Sequence, residues 1–199
     1  MATVTTKGER TRRALLDAAI ARFGRDGYRR TSIADITRDA GLSGTAAYAY
    51  FANKEELFVA AVDADAGPVI EEGLAAETGD VAIDHWRATL IVALLKALER
   101  HPLARRIVAG LEPEFTVRLL SIPALDDLRA ESARRLRAHQ EAGEVRADID
   151  PDQIARGVVP IVMSLLMALL QTGSDPAGFL GPDVAAIFDA ALLPPAKEL

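Results

Sequence analysis

A chain of 199 residues, half of them hydrophobic, has the apolar mass for one medium domain or two small ones. Its lack of cysteine excludes disulfides, thiolate zinc sites and iron–sulfur clusters and fits a reducing cytoplasm; with no apolar leader after Met1, no signal peptide is expected. The net charge of −6 is unevenly spread: residues 1–54 carry ten Lys/Arg against five Asp/Glu, a net +5, and residues 55–199 carry −11. A basic head of this kind is drawn to phosphate, and an acidic body is held away from it.

Residues 1–8 are small and polar and read as a frayed arm, with Lys7, Arg10, Arg12 and Arg13 either touching phosphates from it or simply solvated. From about Glu9 to Arg25, Leu15, Ala19 and Phe23, flanked by Leu16 and Ala18, form a helical stripe, and Gly27 stops it. Phe23 and Tyr28 belong to its core. In the next stretch Ser32-x-x-Asp35 fits a capping box, in which the serine oxygen takes an orphan N–H and the carboxylate reaches back. Ile33, Ile36 and Ala40 share one face, and Gly41 supplies a left-handed stop. Leu42 fills the corner, and Ser43 is placed to cap a second helix through Ala47, Tyr48 and Tyr50. Helix, short glycine-containing turn, helix over residues 32–51 is the layout of a DNA-binding helix-turn-helix.

The run AGLSGTAAYAYFANKEELF carries a more specific signal. Gly41, Ser43, Tyr48, Tyr50, Phe51, Lys54, Glu55 and Leu57 match the pattern of the recognition segment in the TetR family of bacterial transcriptional regulators, which residues 9–69 resemble. The departures are Gly44, where a longer polar residue is common, Thr45 for glycine and Ala46 for threonine; they bear on operator contacts and not on fold. Ser43 and Thr45 offer hydroxyls to bases or phosphates, and Ala46 offers a methyl to thymine. Tyr48 and Tyr50 suit phosphates, Gly44 lies among them, and Thr31 and Ser32 open the helix that points N–H groups at the backbone. The resemblance implies a phosphate contact for Lys54. The partner is then a double-stranded DNA operator.

Lys54 to Ala66 continues as a helix with Leu57, Phe58, Ala61 and Val62 inward, and Gly67-Pro68 is expected to break or kink it. The domain boundary falls there, with a DNA-binding domain over 9–69 and a helical effector-binding and dimerisation domain over 70–199. The body shows helical patterns over Val81–Arg100, from Pro102 to about Ala109, between Pro113 and Pro123, and over Ala124–Glu141. Further helices run from Pro151 to Gln171 and from Pro182 to Leu193, with a loop over 173–181. The fold class is all-α. The longest apolar stretch, Val158 to Leu170, is shorter than a bilayer span, so no membrane segment is expected.

In such a body, Trp86, Leu90, Leu94, Phe115, Met163 and Met167 are candidates to wall a cavity for a small apolar effector. Taken one at a time, each of these residues is better read as ordinary core of a helical domain. Val158, Ile161, Val162, Leu165, Leu166 and Leu169 cover more than one face of their helix, and Val184, Ile187, Phe188 and Leu192 make a second stripe. The two together are expected to form a four-helix homodimer interface, which the resemblance also implies. His85, His101 and His139 stand apart, and Asp148-x-Asp150-x-Asp152 is better read as a helix start than as a calcium loop, so no metal or cofactor is expected. The chain has no GxSxG, HExxH, Walker or GxGxxG motif, and no enzyme is expected. The reading is a cytoplasmic regulator released from a palindromic operator by a small apolar ligand. Its rivals are a ligand-independent or activating regulator, and a helical enzyme with a DNA-binding head.

Overall fold

The computed structural model describes residues 6–75, 83–179 and 181–195, apart from the side chains of residues 83–88, 119, 177 and 179. No strand occurs among them. The helices are α1 (Lys7–Asp26), α2 (Ile33–Asp39), α3 (Lys54–Ala75), α4 (Ile83–Leu98), α5 (Pro102–Val108), α6 (Thr116–Leu119), α7 (Pro123–Glu141), α8 (Pro151–Thr172), α9 (Pro176–Phe179) and α10 (Pro182–Leu192). Short 3-10 turns cover Ala46–Ala49 and Pro113–Phe115. The chain packs as two units, one of residues up to Val69 with Leu98–Ile122, the other of Ile70–Ala97 with Pro123 onward.

In the first unit, α1 begins before the apolar stripe does, because Thr6 and Glu9 form a capping box. The Glu9 N–H donates to Thr6 Oγ1 at 3.2 Å and the Thr6 N–H to the Glu9 carboxylate at 2.6 Å. Lys7 and Gly8 are therefore helical; of the arm expected over residues 1–8, residues 1–5 lie outside the described residues. The helix ends at Gly27, whose φ of +81° suits glycine and whose N–H donates to the Phe23 carbonyl. Leu15, Ala19 and Phe23 are fully buried, as are Ile36 of α2 and Leu57, Phe58 and Ala61 of α3, and the Phe23 and Phe58 rings meet edge to face with centres 5.0 Å apart.

Residues 98–122, which the sequence reading gives to the second domain, pack into this first unit. Phe115 closes an aromatic cluster, with ring centres 4.6 Å from Tyr28 and 4.5 Å from Phe58. The carboxylate of Asp65, on α3 and only 4% exposed, accepts the N–H groups of Leu103 and Ala104 at 3.0 and 2.8 Å. It thus satisfies the orphan donors of α5, which lacks a side-chain cap of its own. His101 Nδ1 lies 3.0 Å from the same carboxylate. Last, Glu112 accepts from Arg106 Nε at 2.7 Å and from the Tyr28 N–H at 3.1 Å, clamping the turn after α1. The two helices approach at Gly24, where a Cβ would stand 3.0 Å from Pro102 Cβ and 3.1 Å from the Leu103 nitrogen.

Gly67-Pro68 does not end α3, which runs on to Ala75. An interior proline costs an intrahelical bond, about 3 kcal/mol. Burial of Val69 and Ile70, roughly 1.5–3 kcal/mol each, offsets it. Gly73 then admits Leu94 of α4, whose Cδ2 would stand 2.5 Å from a Cβ there.

The second unit is built on α7 packed along α8. Leu125, Leu128, Ser132 and Leu136 of α7 are buried as their spacing predicts, while His139 is half-buried with Nδ1 2.7 Å from Glu144. Gln140 Nε2 donates to the carbonyls of Arg146 and Ile149 and pins the connection to α8. Asp150 caps α8 through the Asp152 N–H at 2.9 Å, and Pro151 takes the first helical position. Contrary to the reading from Val158–Leu170 alone, α8, at 22 residues and with an 18-residue stretch of mean hydropathy 1.9, is long and apolar enough to cross a bilayer by length and composition. In this unit its Ala155, Val158, Val159, Val162, Leu166 and Leu169 are buried. The stretch expected as a loop over 173–181 contains the single turn α9.

Candidate nucleic-acid interface

The helix-turn-helix is held from both ends of α2. Ser32 Oγ accepts the Asp35 N–H at 3.1 Å and donates to its carboxylate at 2.6 Å, the capping box read from the sequence. The Ser32 hydroxyl, helped by the Arg38 guanidinium, holds the Asp35 carboxyl below its usual range. At the far end, Arg22 of α1 donates to both oxygens of Asp39 at 2.5 and 2.9 Å, and this pairing draws the Asp39 carboxyl down as well. Gly41 turns the chain at φ +66°, and the Leu42 N–H returns to the Thr37 carbonyl at 2.8 Å.

The second element differs from expectation. Ala46–Ala49 is a 3-10 turn and not an α-helix, and no side chain caps it. Its bonds run Ala46 N–H to the Ser43 carbonyl, Tyr48 N–H to Thr45 and Tyr50 N–H to Ala47. Glycine, threonine and two tyrosines within seven residues supply little helical preference, and burial of Ala47 and Phe51 fixes the segment instead. Ser43 is thus not the side-chain cap the sequence suggests. The hydroxyls of Ser43 and Thr45 have no hydrogen-bond partner among the described residues.

The segment presents Ser43, Gly44, Thr45 and Ala49 exposed, Tyr48 at 58% exposure, and Ala46 half-buried. A Cβ at Gly44 would meet nothing within 4 Å. Tyr50 is half-buried, its phenol oxygen 3.8 Å from where a Gly8 Cβ would stand at the start of α1. These residues come together on one surface. Three others expected with them are turned to internal work. Thr31 is buried and its hydroxyl donates to the Gly27 carbonyl at 2.8 Å. The Ser32 hydroxyl is spent on its cap. Lys54 Nζ donates to the carbonyls of Tyr28 and Thr31 at 2.9 and 3.0 Å and lies 4.0 Å from the Tyr28 ring centre. It fastens the start of α3 to the α1–α2 turn and keeps one N–H for an outside partner.

The basic residues divide in the same way. Arg13, Arg22, Arg25, Arg29 and Arg38 are paired with Asp17, Asp39, Asp26, Glu114 and Asp35. Lys7, Arg10, Arg12 and Arg30 are exposed and have no ion pair among the described residues. The Arg12 guanidinium lies 5.4 Å over the Phe51 ring, beside the 3-10 turn. Arg30 was not singled out from the sequence; the Arg29-Arg30 pair was its only signal.

In the second unit, Leu90 and Leu94 are buried and Met163 and Met167 half-buried, while the Trp86 side chain lies outside the described residues. Phe115 stands in the first unit's aromatic cluster, so it does not join them within one unit. The second unit has an apolar cleft of about 350 Å³ between α8 and α10, lined by Val158, Ile161, Leu165, Val184, Ile187, Phe188 and Leu192 among others and by none of the expected pocket residues. Of the expected dimer stripe, Val158, Val162, Leu166, Leu169, Phe188 and Leu192 are buried within their own chain. Ile161 and Ile187 remain 49% and 70% exposed, and Leu165 and Val184 are half-buried. Among the described residues no three His, Asp or Glu side chains gather to hold a metal.

Residues 15–61 match the family described as bacterial regulatory proteins, tetR family. The HTH-type transcriptional repressor Rv1474c of Mycobacterium tuberculosis is 30% identical over 173 residues, covering 83% of this chain and 84% of that protein. The HTH-type transcriptional regulator YdgC of Bacillus subtilis is 25% identical over 199 residues, 98% of each chain. A TetR-family transcriptional regulator from Pectobacterium atrosepticum, of known crystal structure, superposes with a TM-score of 0.73 at 25% identity, covering 95% of this chain and 97% of that one.

Proposed function

The chain belongs to the TetR family of bacterial transcriptional regulators, and from that premise we propose that it is a repressor that binds a palindromic operator as a homodimer and leaves it when a small apolar ligand binds the second unit. The observation that carries the DNA-binding part is the surface of exposed Ser43, Gly44, Thr45, Tyr48 and Ala49 with half-buried Ala46, in a unit that also exposes Lys7, Arg10 and Arg12, cations without an ion pair among the described residues. Here the 3-10 segment enters the major groove, and Tyr48, Tyr50 and the unpaired cations hold phosphates. Thr31, Ser32 and Lys54 act behind this surface, keeping the turn in shape. Residues 9–69, supplemented by Leu98–Ile122, form the DNA-binding domain.

Two copies join through the α8–α10 cleft, where Ile161 and Ile187 are the exposed apolar anchors. A two-fold axis there gives two recognition segments for two half-sites. Ligand information travels along α3, which is continuous across the boundary between the units. A ligand shifts the domain arrangement only by its differential affinity for the two states.

The test is selection of bound fragments from genomic DNA, followed by footprinting of the recovered site. The expected result is one protected two-fold symmetric sequence. Recovery of fragments with no shared sequence, at affinities equal to random duplex, would contradict the proposal.

A further inference from the structure

The fourteen residues from Ala40 to Asn53 contain no charged side chain and no histidine or glutamine. The strongest direct readers of DNA are therefore missing from the recognition segment: Arg and Lys, which bridge guanine O6 and N7, and Gln, which with Asn bridges adenine N6 and N7. The one amide, Asn53, spends its Oδ1 on the Glu56 N–H at 2.8 Å, which caps the start of α3. Arg38, the nearest cation on α2, is paired with Asp35 at 3.0 Å. What the surface does offer is short. Thr45, Ala46 and Ala49 present methyl groups, and Ser43 and Thr45 present hydroxyls without a hydrogen-bond partner among the described residues. Gly44 presents bare backbone with no protein atom within 4 Å of a would-be Cβ, so the segment can approach the groove floor closely.

We propose that this segment selects its half-site through the C5-methyl groups of thymines, packed against Thr45, Ala46 and Ala49, and not through hydrogen bonds to guanine. The inference rests on the reading of Ser43–Tyr50 as the element in the major groove. The thymine methyl is the apolar feature of the major-groove edge, and a surface of short methyl-bearing side chains over a glycine complements it. Each contacted methyl is expected to be worth about fourfold in affinity, the equivalent of one buried CH₂. The consensus should be rich in A·T pairs at the contacted positions and tolerant of the G·C pairs between them.

The experiment uses the full chain and the operator recovered by genomic selection, in competition titrations against duplexes bearing deoxyuridine at single thymine positions, and 7-deazaguanine at single guanine positions. Deoxyuridine removes the methyl and leaves the base pair intact; 7-deazaguanine removes the N7 acceptor. The expected result is about fourfold weakening at two or more uridine positions in each half-site, with 7-deazaguanine neutral. Ala46→Gly and Ala49→Gly should each lose the thymine preference at one position and keep it elsewhere. Uridine substitution without effect at every position, or larger losses from 7-deazaguanine than from uridine, would overturn the inference while leaving the operator reading intact. Failure to recover any specific site would overturn that reading, and this inference with it.

Discussion

The proposed interface gives Tyr48 and Thr45 different tasks. In the proposed interface Tyr48, with a phenol and 58% exposure, is assigned to positioning on phosphate, and Thr45, short and exposed, to specifying the sequence. Tyr48→Ala is expected to weaken binding to all sequences by about 10–30-fold, near 1 kcal/mol for each of two protomers. Thr45→Ala should change which sequence is preferred, as read by selection from a random pool. Behind them, Gly27 is fixed by two constraints: φ is +81°, and a Cβ would stand 2.5 Å from Arg106 Nη2 and 2.7 Å from Glu112 Oε1. Gly27→Ala is therefore expected to lower stability by about 2–4 kcal/mol in chemical denaturation. The sequence marked Gly27 as a stop, since a glycine after an apolar stripe signals one. The clamp around it was not legible, because Glu112 lies 85 positions away and nothing local announces it. The internal bonds of Lys54 were not legible for a similar reason: motif matching names the residue, and only the fold shows that its ammonium also takes the carbonyls of the α1–α2 turn.

At the scale of elements, local chemistry was the readable part. The Ser32–Asp35 box, Gly41 and the prolines that open α5, α8 and α10 all act within one turn of chain, and each stands where its residue type predicts. Elements that depend on distant partners were not readable. α5 is capped by Asp65, 38 positions before Leu103, and α3 passes through Gly67-Pro68 on the strength of burial beyond it. Ser32→Ala should cost about 1 kcal/mol through the cap of α2. The carboxylates of Asp35 and Asp39 have folded pKa values below their unfolded ones, so their contribution is present above the ordinary carboxylate range and is lost as pH falls through the lowered values. Unfolding free energy should accordingly decline from about pH 5 downward. Asp39→Asn, which removes the partner of Arg22, should flatten that decline. A slope unchanged by Asp39→Asn would remove this pair from the account of acid stability.

At the scale of the molecule, the fold divides the expected dimer stripe into residues buried in a single chain and residues left exposed. Phe188, which spacing alone makes an interface residue, is 8% exposed in a single chain, so Phe188→Glu would test folding as much as assembly. Ile161 and Ile187 line the α8–α10 cleft and remain open to solvent, which makes them the better probes. Ile161→Glu with Ile187→Glu is expected to give folded monomers by sedimentation and circular dichroism. Binding of a two-half-site operator should fall by more than 100-fold, on the order of the 3 kcal/mol lost when a second specific module is released. A folded double variant that sediments as a dimer would place the interface elsewhere.

The most direct measurement is a titration of the recovered operator and of a scrambled duplex of equal length across a range of salt concentrations. With Lys7, Arg10, Arg12 and Arg30 of two protomers on phosphates, log affinity should fall with log salt at a slope of about −7 for the operator. At physiological salt the operator should bind at least about 1,000-fold more tightly than the scrambled duplex. Equal affinity for the two duplexes, or operator binding that barely changes with salt, would contradict a sequence-specific DNA interface at this surface.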